Sequence, residues 1–143
     1  MKNSLIILCL LLSATVFAQE EWGNVNKNEL TTKEIAPVWK GCEAGDAATR
    51  EACFDKKLTE HIIKNFKYPA AEYKKNIQGR VVVDFIINTK GMVEVKGLSG
   101  GNKGLQDEAK RNIMAIPQMK PGMLGGKPRA IKYSVPFNFK TGK

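Results

Sequence analysis

The residues of this sequence best suited to chemistry are three cysteines, Cys9, Cys42 and Cys53, and a single histidine, His61. Two chemistries are open to such a set: a disulfide, or a redox or metal site. The spacing of Cys42 and Cys53 is not C-x-x-C, and one histidine cannot complete a four-ligand zinc site without distant carboxylates. We therefore expect no metal ligands and no cofactor, and His61 as an exposed helix residue.

The N-terminus sets the compartment and with it the state of the cysteines. Residues 1–18 have a charged start, an apolar run and a small-residue site ending at Ala18, the pattern of a cleaved secretory signal peptide. The apolar run is shorter than the roughly 20 residues of a membrane-spanning helix, so no stable membrane span is expected after cleavage. Cleavage leaves Cys42 and Cys53 as a pair in an oxidising compartment, where we expect a disulfide.

Motifs of the common enzyme classes are missing from the sequence. It has no nucleophile elbow, no H-E-x-x-H pair, no phosphate-binding glycine loop and no dinucleotide fingerprint. Its carboxylates are scattered among lysines at surface-like positions, so we predict no catalytic residues and no enzyme. The formal net charge of +9 is spread along the chain without interleaved aromatic residues, which argues against nucleic acid and is compatible with anionic envelope surfaces.

The hydrophobic pattern predicts an α+β fold with the order α-β-β-α-β, in which a small antiparallel sheet of about three strands has two helices packed on one face. Apolar stripes mark the two helices, and Ile35, Val38 and Trp39 are expected to dock on the body. The predicted elements are a helix from Asp46 or Thr49 to about Phe66 (stripe Leu58, Ile62, Ile63, Phe66), a helical turn beginning at Pro69, strands over 79–87 and 92–98 joined by a turn with Gly91 at positive φ, a helix over 103–116 (stripe Leu105, Ala109, Ile113, Ile116), a loop over 117–129, and a last strand over 129–139.

The last strand contains a proline. Ile131, Tyr133, Val135, Phe137 and Phe139 alternate as in a half-buried strand, and Pro136 interrupts this set. Because proline has no N–H to give a neighbouring strand, it belongs at the edge of a sheet or at a bulge. The sequence therefore predicts an edge strand here.

Five short motifs occur in an order that resembles the TonB C-terminal domain family. They are "YPAA" (68–71), "GRVVVDFIINTKGMV" (79–93), "LQDEAKRNI" (105–113), "PQMKPG" (117–122) and "VPFNF" (135–139). The similarity covers about 58–139. The cysteine of "GC" at 41–42, with Cys53 following it, resembles the variant in which a short disulfide-bonded extension precedes the domain.

The resemblance implies a fold and a way of binding. Domains of this family reside in the periplasm and bind outer-membrane transporters, and an extended transporter segment adds as a strand beside the last strand of the domain. On this sequence the partner-binding residues implied are Asn65, Arg129, Ile131, Tyr133, Val135 and Phe137. The motif residues with an implied structural role are Tyr68, Pro69, Gly79, Gly91, Pro121, Gly122 and Pro136.

The sequence also departs from a full energy transducer. The polar leader, 19–36, and Pro37 after it contain one proline in place of a long proline-rich spacer, and force transduction is therefore not expected. The predicted organisation is a signal peptide (1–18), this leader, a disulfide-bonded extension (37–57) and the domain (58–143). Three partners stay open: a TonB-dependent transporter or other periplasmic protein, a second copy in a homodimer, and anionic cell-wall polymers bound through the basic surface of an envelope structural protein.

Overall fold

A computed structural model describes residues 34–142 of the protein. The predicted signal peptide and most of the predicted leader, residues 19–33, lie outside the described residues. Within the described range, every element of the predicted α-β-β-α-β order is found, and three short strands are added to it. The elements are β1 (Glu34–Ile35), α1 (Ala47–Asn65), α2 (Ala70–Lys74), β2 (Gly79–Ile87), β3 (Val93–Ser99), α3 (Lys103–Met114), β4 (Gly122–Leu124), β5 (Lys127–Arg129) and β6 (Ile131–Phe139).

The main sheet is antiparallel and has the strand order β3-β2-β6. β6 pairs with β2 without interruption, from Gly79 opposite Phe139 to Ile87 opposite Ile131. The pairing of β2 with β3 shifts register between Asp84 and Phe85, which marks a β-bulge. The predicted three-stranded antiparallel sheet and the α+β class are thus confirmed.

The core lies between one face of this sheet and the helices α1 and α3. Odd-numbered β2 residues such as Val81, Val83 and Phe85 are buried, while Arg80 and Asp84 on the other face are exposed. The apolar stripe predicted for α3 is buried in full. The buried side chains are Pro37, Trp39, Cys42, Phe54, Leu58, Val81, Val83, Phe85, Ile87, Leu105, Ala109, Asn112, Ile113, Ile116, Met119, Phe137 and Phe139.

Local sequence explains where the two long helices begin and end. Asp46 caps α1 by accepting a hydrogen bond from the Thr49 amide at 2.8 Å, and Asn102 caps α3 by accepting one from the Leu105 amide at 3.0 Å. The hydrogen bond from Thr49 holds the pKa of the Asp46 carboxyl below its usual value. Pro117 follows α3 within three residues, where proline cannot continue a helix.

The turn between β2 and β3 needs glycine for two reasons. Gly91 has φ +78°, as predicted, and its amide donates to the Asn88 carbonyl at 2.9 Å. A Cβ atom at Gly91 would lie 1.6 Å from the carbonyl oxygen of Met119, whose own amide donates to Gly91 at 3.0 Å. The turn therefore supports the segment that follows α3 by backbone contact.

That following segment corrects the prediction of a plain loop over residues 117–129. β4 and β5 form a hairpin that β1 extends into a second three-stranded sheet, with Glu34 opposite Leu124. Short strands rich in glycine, proline and lysine carry no alternating pattern, so the sequence did not reveal them. Gly122 is required in β4 because a Cβ atom there would lie 2.4 Å from the Ile131 side chain.

The segment before α1 is attached to the domain by a disulfide and by Trp39. Cys42 and Cys53 are bonded, as predicted, with their Cα atoms 5.6 Å apart. The Trp39 ring contacts Phe54 of α1 edge-on, with centroids 6.0 Å apart. Ile35, expected to dock, is 39% exposed and contributes a strand pairing opposite Met123 instead. Because α1 spans residues 47–65, the predicted extension and domain share this helix.

A search of residues 34–142 finds no helix that combines the length and apolar character needed to cross a membrane.

Candidate functional site

The direction of the backbone groups in β6 follows from one hydrogen bond at the β2–β3 turn. The Asn88 amide donates to the Met92 carbonyl at 2.8 Å, so the amide of Asn88 points toward β3. Backbone groups alternate direction along an antiparallel strand, and the amides of Phe85 and Ile87 therefore point toward β6. Tyr133 and Ile131 lie opposite Phe85 and Ile87 in β6. Each such pair exchanges two hydrogen bonds, so the amides of Tyr133 and Ile131 point toward β2.

The even-numbered residues of β6 consequently turn their backbone groups away from β2. Pro136, paired with Val82, belongs to this even set, and it is the one β6 residue with no N–H to offer. Its position agrees with the direction deduced from the turn, because a proline in the odd set would leave a gap in the ladder. Among residues 34–142, no strand pairs with this outer side. We call it the open edge: the outward N–H and C=O groups of Lys132, Ser134 and Asn138 and the C=O of Pro136.

An apolar groove runs beside the open edge, between β6 and the C-terminal half of α1. It encloses about 280 Å³ and is lined by Ile62, Ile63, Phe66, Pro136, Phe137 and Asn138. The Ile63 side chain is 70% exposed in it, although a large aliphatic side chain is stabilised by burial. The groove therefore offers apolar surface next to unpaired backbone groups.

Helix α1 runs alongside β6 in the same direction. Phe54, early in the helix, stacks on Tyr133 with ring centroids 5.0 Å apart, and Phe66, just after it, lies 5.1 Å from Phe139. The helix and the strand therefore lie side by side over most of the length of β6, and the groove opens between them at Pro136 to Asn138.

The predicted partner-binding residues of β6 face the core side. Phe137 is buried, and Ile131, Tyr133 and Val135 are half-buried beneath α1 or beside β4. Their backbone groups pair with β2. The structure thus provides the predicted edge strand. Its outward backbone groups belong to Lys132, Ser134, Pro136 and Asn138, which lie within the predicted recruiting edge of residues 129–139, and partner contacts of the predicted side chains stay a prediction.

Tyr133 shows how closely α1 covers the core side of β6. Its ring lies between Phe54 and Phe85, with centroids 5.0 and 5.6 Å away. Burial raises the pKa of the Tyr133 hydroxyl well above its usual value, and the negative charges of Asp55, Glu51 and Glu34 raise it further. Three carboxylates therefore lie close enough to Tyr133, in the first half of β6, to disfavour its ionised form.

Asn65, the predicted contact outside β6, lies on the α3 side of α1. Its side-chain amide donates to the His61 carbonyl at 2.9 Å, and its own carbonyl accepts from Arg111 at 2.6 Å. His61 is half-buried and its Nε2 lies 3.0 Å from the Asn112 carbonyl, which corrects the expectation of an exposed residue. The contacts of Arg111 and His61 join α1 to α3, and a partner contact at Asn65 stays a prediction.

Arg129 belongs to β5 and not to the last strand, which begins at Ile131. It forms an ion pair with Glu34 at 3.3 Å, so it links the hairpin to β1. Three other motif residues, Tyr68, Pro69 and Gly79, lie at the opposite end of the main sheet, near Phe139. Tyr68 donates to the Ile77 carbonyl at 2.6 Å and packs edge-on against Phe139, with Pro69 following as the cap of α2. Gly79 begins β2, and Pro121 precedes β4.

The groove residues Ile62, Ile63 and Phe66 were predicted as a core stripe. Leu58, Ile62 and Phe66 are spaced by four and share a face, whereas Ile63 is turned about 100° from Ile62 around the helix. Adjacent residues of a helix can share a core-facing stripe about 100° wide, so the sequence alone did not show that the Ile63 side chain would stay exposed.

Among the described residues, no group of three His, Cys, Asp or Glu side chains is arranged to hold a metal ion.

A comparison with known protein families assigns this chain to a family. The sequence profile of the Gram-negative bacterial TonB protein C-terminal domain matches residues 64–141, more than half of the chain. The protein belongs to the TonB C-terminal domain family. Members of this family are non-catalytic interaction domains of the periplasm that contact outer-membrane transporters, and the family is linked to TonB-dependent transport.

Two solution structures of the Helicobacter pylori TonB C-terminal domain also match. The one of residues 179–285 is 20% identical, with 71% of this chain and 99% of that chain covered and a TM-score of 0.46. The one of residues 194–285 is 21% identical, with 63% and 96% covered and a TM-score of 0.42. No curated protein sequence gives a significant match. The family assignment rests on the sequence profile.

Proposed function

We propose that this TonB-family protein binds an extended segment of an outer-membrane TonB-dependent transporter, or of another periplasmic protein, by adding it as a strand to β6. The observation that carries the proposal is the open edge. Its backbone donors and acceptors begin at Lys132 and Ser134, and its end at Pro136 and Asn138 lies beside an apolar groove that exposes Ile63. Main-chain pairing supplies affinity in this binding mode, and the groove supplies selection.

Pro136 limits how far a partner pairs. An incoming strand finds outward N–H groups at Lys132 and Ser134, none at Pro136, and one more at Asn138. The groove lies at this interruption, so an apolar side chain of the partner compensates by burial where a hydrogen bond is missing. The open edge therefore provides hydrogen bonds, and the groove provides apolar burial at the position where one of them is missing.

The test is a backbone amide NMR titration of the oxidised protein with peptides copied from transporter N-terminal segments of the same organism. The proposal predicts the largest shifts at Lys132, Ser134 and Asn138 and on Ile62 and Ile63. An intact spectrum without shifts there would reject it. Raising the salt concentration separates this mode from binding of anionic polymers, because contacts of dispersed lysines weaken with ionic strength while main-chain pairing persists.

We also propose that the protein reaches the periplasm through cleavage of residues 1–18. The mass of the exported protein should equal that of Gln19 to Lys143 less two hydrogens, for the disulfide between Cys42 and Cys53. A retained N-terminus or free thiols would contradict this proposal.

A further inference from the structure

The side of α1 that runs along β6 changes character from its N-terminal half to the groove at its C-terminal end. Glu51 and Asp55 precede Ile62 by eleven and seven residues, which are close to three and two helical turns. Side chains at this spacing lie in one stripe, so the two carboxylates continue the line of Ile62 and Phe66 toward the N-terminus of the helix. The stripe is acidic in its first half and apolar in its second.

The acidic half lies beside the first half of β6. Phe54, next to Asp55, stacks on Tyr133, and Ile62 and Ile63 lie in the groove with Pro136 and Phe137. The electrostatic effect of Glu51 and Asp55 on Tyr133 agrees with this placement. Both carboxylates are exposed, and within residues 34–142 neither takes part in an ion pair. Their charge is therefore available to a partner.

We propose that the side of α1 next to the open edge selects an extended segment with a lysine or arginine beside Glu51 and Asp55 and a large apolar side chain in the groove at Ile62, Ile63 and Phe66. This inference rests on the proposed strand addition to β6 and specifies its ligand.

The spacing of these two side chains follows from the pairing geometry. Tyr133 and Phe137, which mark the acidic and apolar halves, are four residues apart in β6. Neighbouring strands have the same rise per residue, and every second side chain points to the same face. The selected segment therefore has the pattern cation-x-x-x-apolar, read in one chain direction or the other.

The test uses synthetic peptides as long as β6 in a Ser/Thr-rich host, carrying Lys-x-x-x-Leu or Glu-x-x-x-Leu, and the same two patterns in reverse order. Affinity is measured by titration of the oxidised protein at low salt. We expect the lysine peptide of the preferred direction to bind about threefold to tenfold more tightly than its glutamate counterpart. The ratio should shrink toward one at high salt, because exposed charges are screened.

Matched variants locate the origin of this preference. Glu51→Gln and Asp55→Asn should each reduce the ratio between the two peptides. Glu60→Gln is the control, because Glu60 is exposed on the same helix but turned about 140° from Asp55. It should leave the ratio unchanged.

The outcomes separate this inference from the proposed function. Equal affinities of lysine and glutamate peptides, with shifts on β6, would overturn the charge selection and leave strand addition standing. A ratio lowered equally by Glu60→Gln would also overturn it. Absence of shifts on β6 with every peptide would overturn both proposals. A sedimentation coefficient that rises with protein concentration, together with peptide insensitivity, would assign the groove to a second copy and contradict both.

Discussion

The two edges of the main sheet differ in their fitness to receive another strand. β3 has seven residues, and a bulge interrupts its pairing with β2 between Asp84 and Phe85. Glu94 and Lys96 form an ion pair at 2.8 Å on it. β6 has nine residues and pairs with β2 in unbroken register. Bulges and charges protect an edge against added strands, so β3 is the guarded edge and β6 the receptive one.

The comparison teaches that backbone direction, more than side-chain character, defines the receptive edge. β6 also carries protective features, since Lys132 and Pro136 both lie on it. Both belong to the outward set, in which proline removes one donor and leaves the ladder with β2 intact. Such an edge limits uncontrolled pairing and keeps three outward N–H groups available.

The largest expected effect comes from adding a second proline to β6 at one or the other of two adjacent positions, 134 and 135. Val135→Pro removes an N–H that pairs with β2 and should lower the free energy of unfolding by about 3 kcal/mol or more. Ser134→Pro removes an outward N–H and should change it by less than about 1 kcal/mol while abolishing partner binding. Denaturant unfolding and peptide titration measure the two quantities. Equal destabilisation by both variants would refute the assigned alternation.

The next effect concerns the disulfide, which lies away from the groove. Replacing Cys42 and Cys53 by serine should lower the free energy of unfolding by about 3 kcal/mol, because their sequence separation of 11 sets the entropy of the closed loop. Peptide affinity should stay the same, since Cys53 lies on the side of α1 turned away from Ile62. A loss of affinity in the folded variant would show that the extension belongs to the binding site.

A smaller effect is expected at the exposed isoleucine of the groove. Ile63→Ser should reduce affinity for an apolar-anchored peptide about tenfold, because the partner loses apolar burial. It should change the free energy of unfolding by no more than about 0.5 kcal/mol, since Ile63 is 70% exposed. Met114→Ser, an exposed methionine at the end of α3, is the control and should leave affinity unchanged. An equal loss in both variants would contradict a specific groove.

The smallest expected effect is a pH dependence of the free energy of unfolding, caused by the buried hydroxyl of Tyr133. The pKa of Tyr133 is raised above its unfolded value of 10.0, so the folded state favours the neutral hydroxyl. This contribution to stability is complete below pH 10 and is lost as the pH rises further. Tyr133→Phe should therefore flatten the fall of the free energy of unfolding above pH 10. An unchanged slope would mean that the hydroxyl is well solvated.

Periodic elements of this fold could be read from the sequence, because their residues repeat a pattern. The alternation of β2 and β6 and the stripe of α3 predicted both strand and helix bounds within a few residues. The hairpin of β4 and β5 could not be predicted, since its strands have three residues each and are fixed by contacts such as Gly122 against Ile131.

The edge strand could be predicted from the sequence, whereas the residues of it that contact a partner stay a prediction. The large side chains of β6 attract notice because they are apolar, and that same property turns them toward the core. Pro136 was the informative residue, since its missing N–H identifies the outward set to which Lys132, Ser134 and Asn138 belong. Asn65 depended on the family resemblance alone, and its hydrogen bonds to His61 and Arg111 are visible only in three dimensions.

Amide hydrogen exchange along β6 tests the central claim most directly. The free protein should exchange rapidly at Lys132, Ser134 and Asn138 and slowly at Tyr133, Val135 and Phe137. A bound partner segment should slow exchange at the first three and leave the others unchanged. Slow exchange of all six amides in the free protein, at concentrations where it is monomeric, would show that the open edge is already covered and would contradict the account.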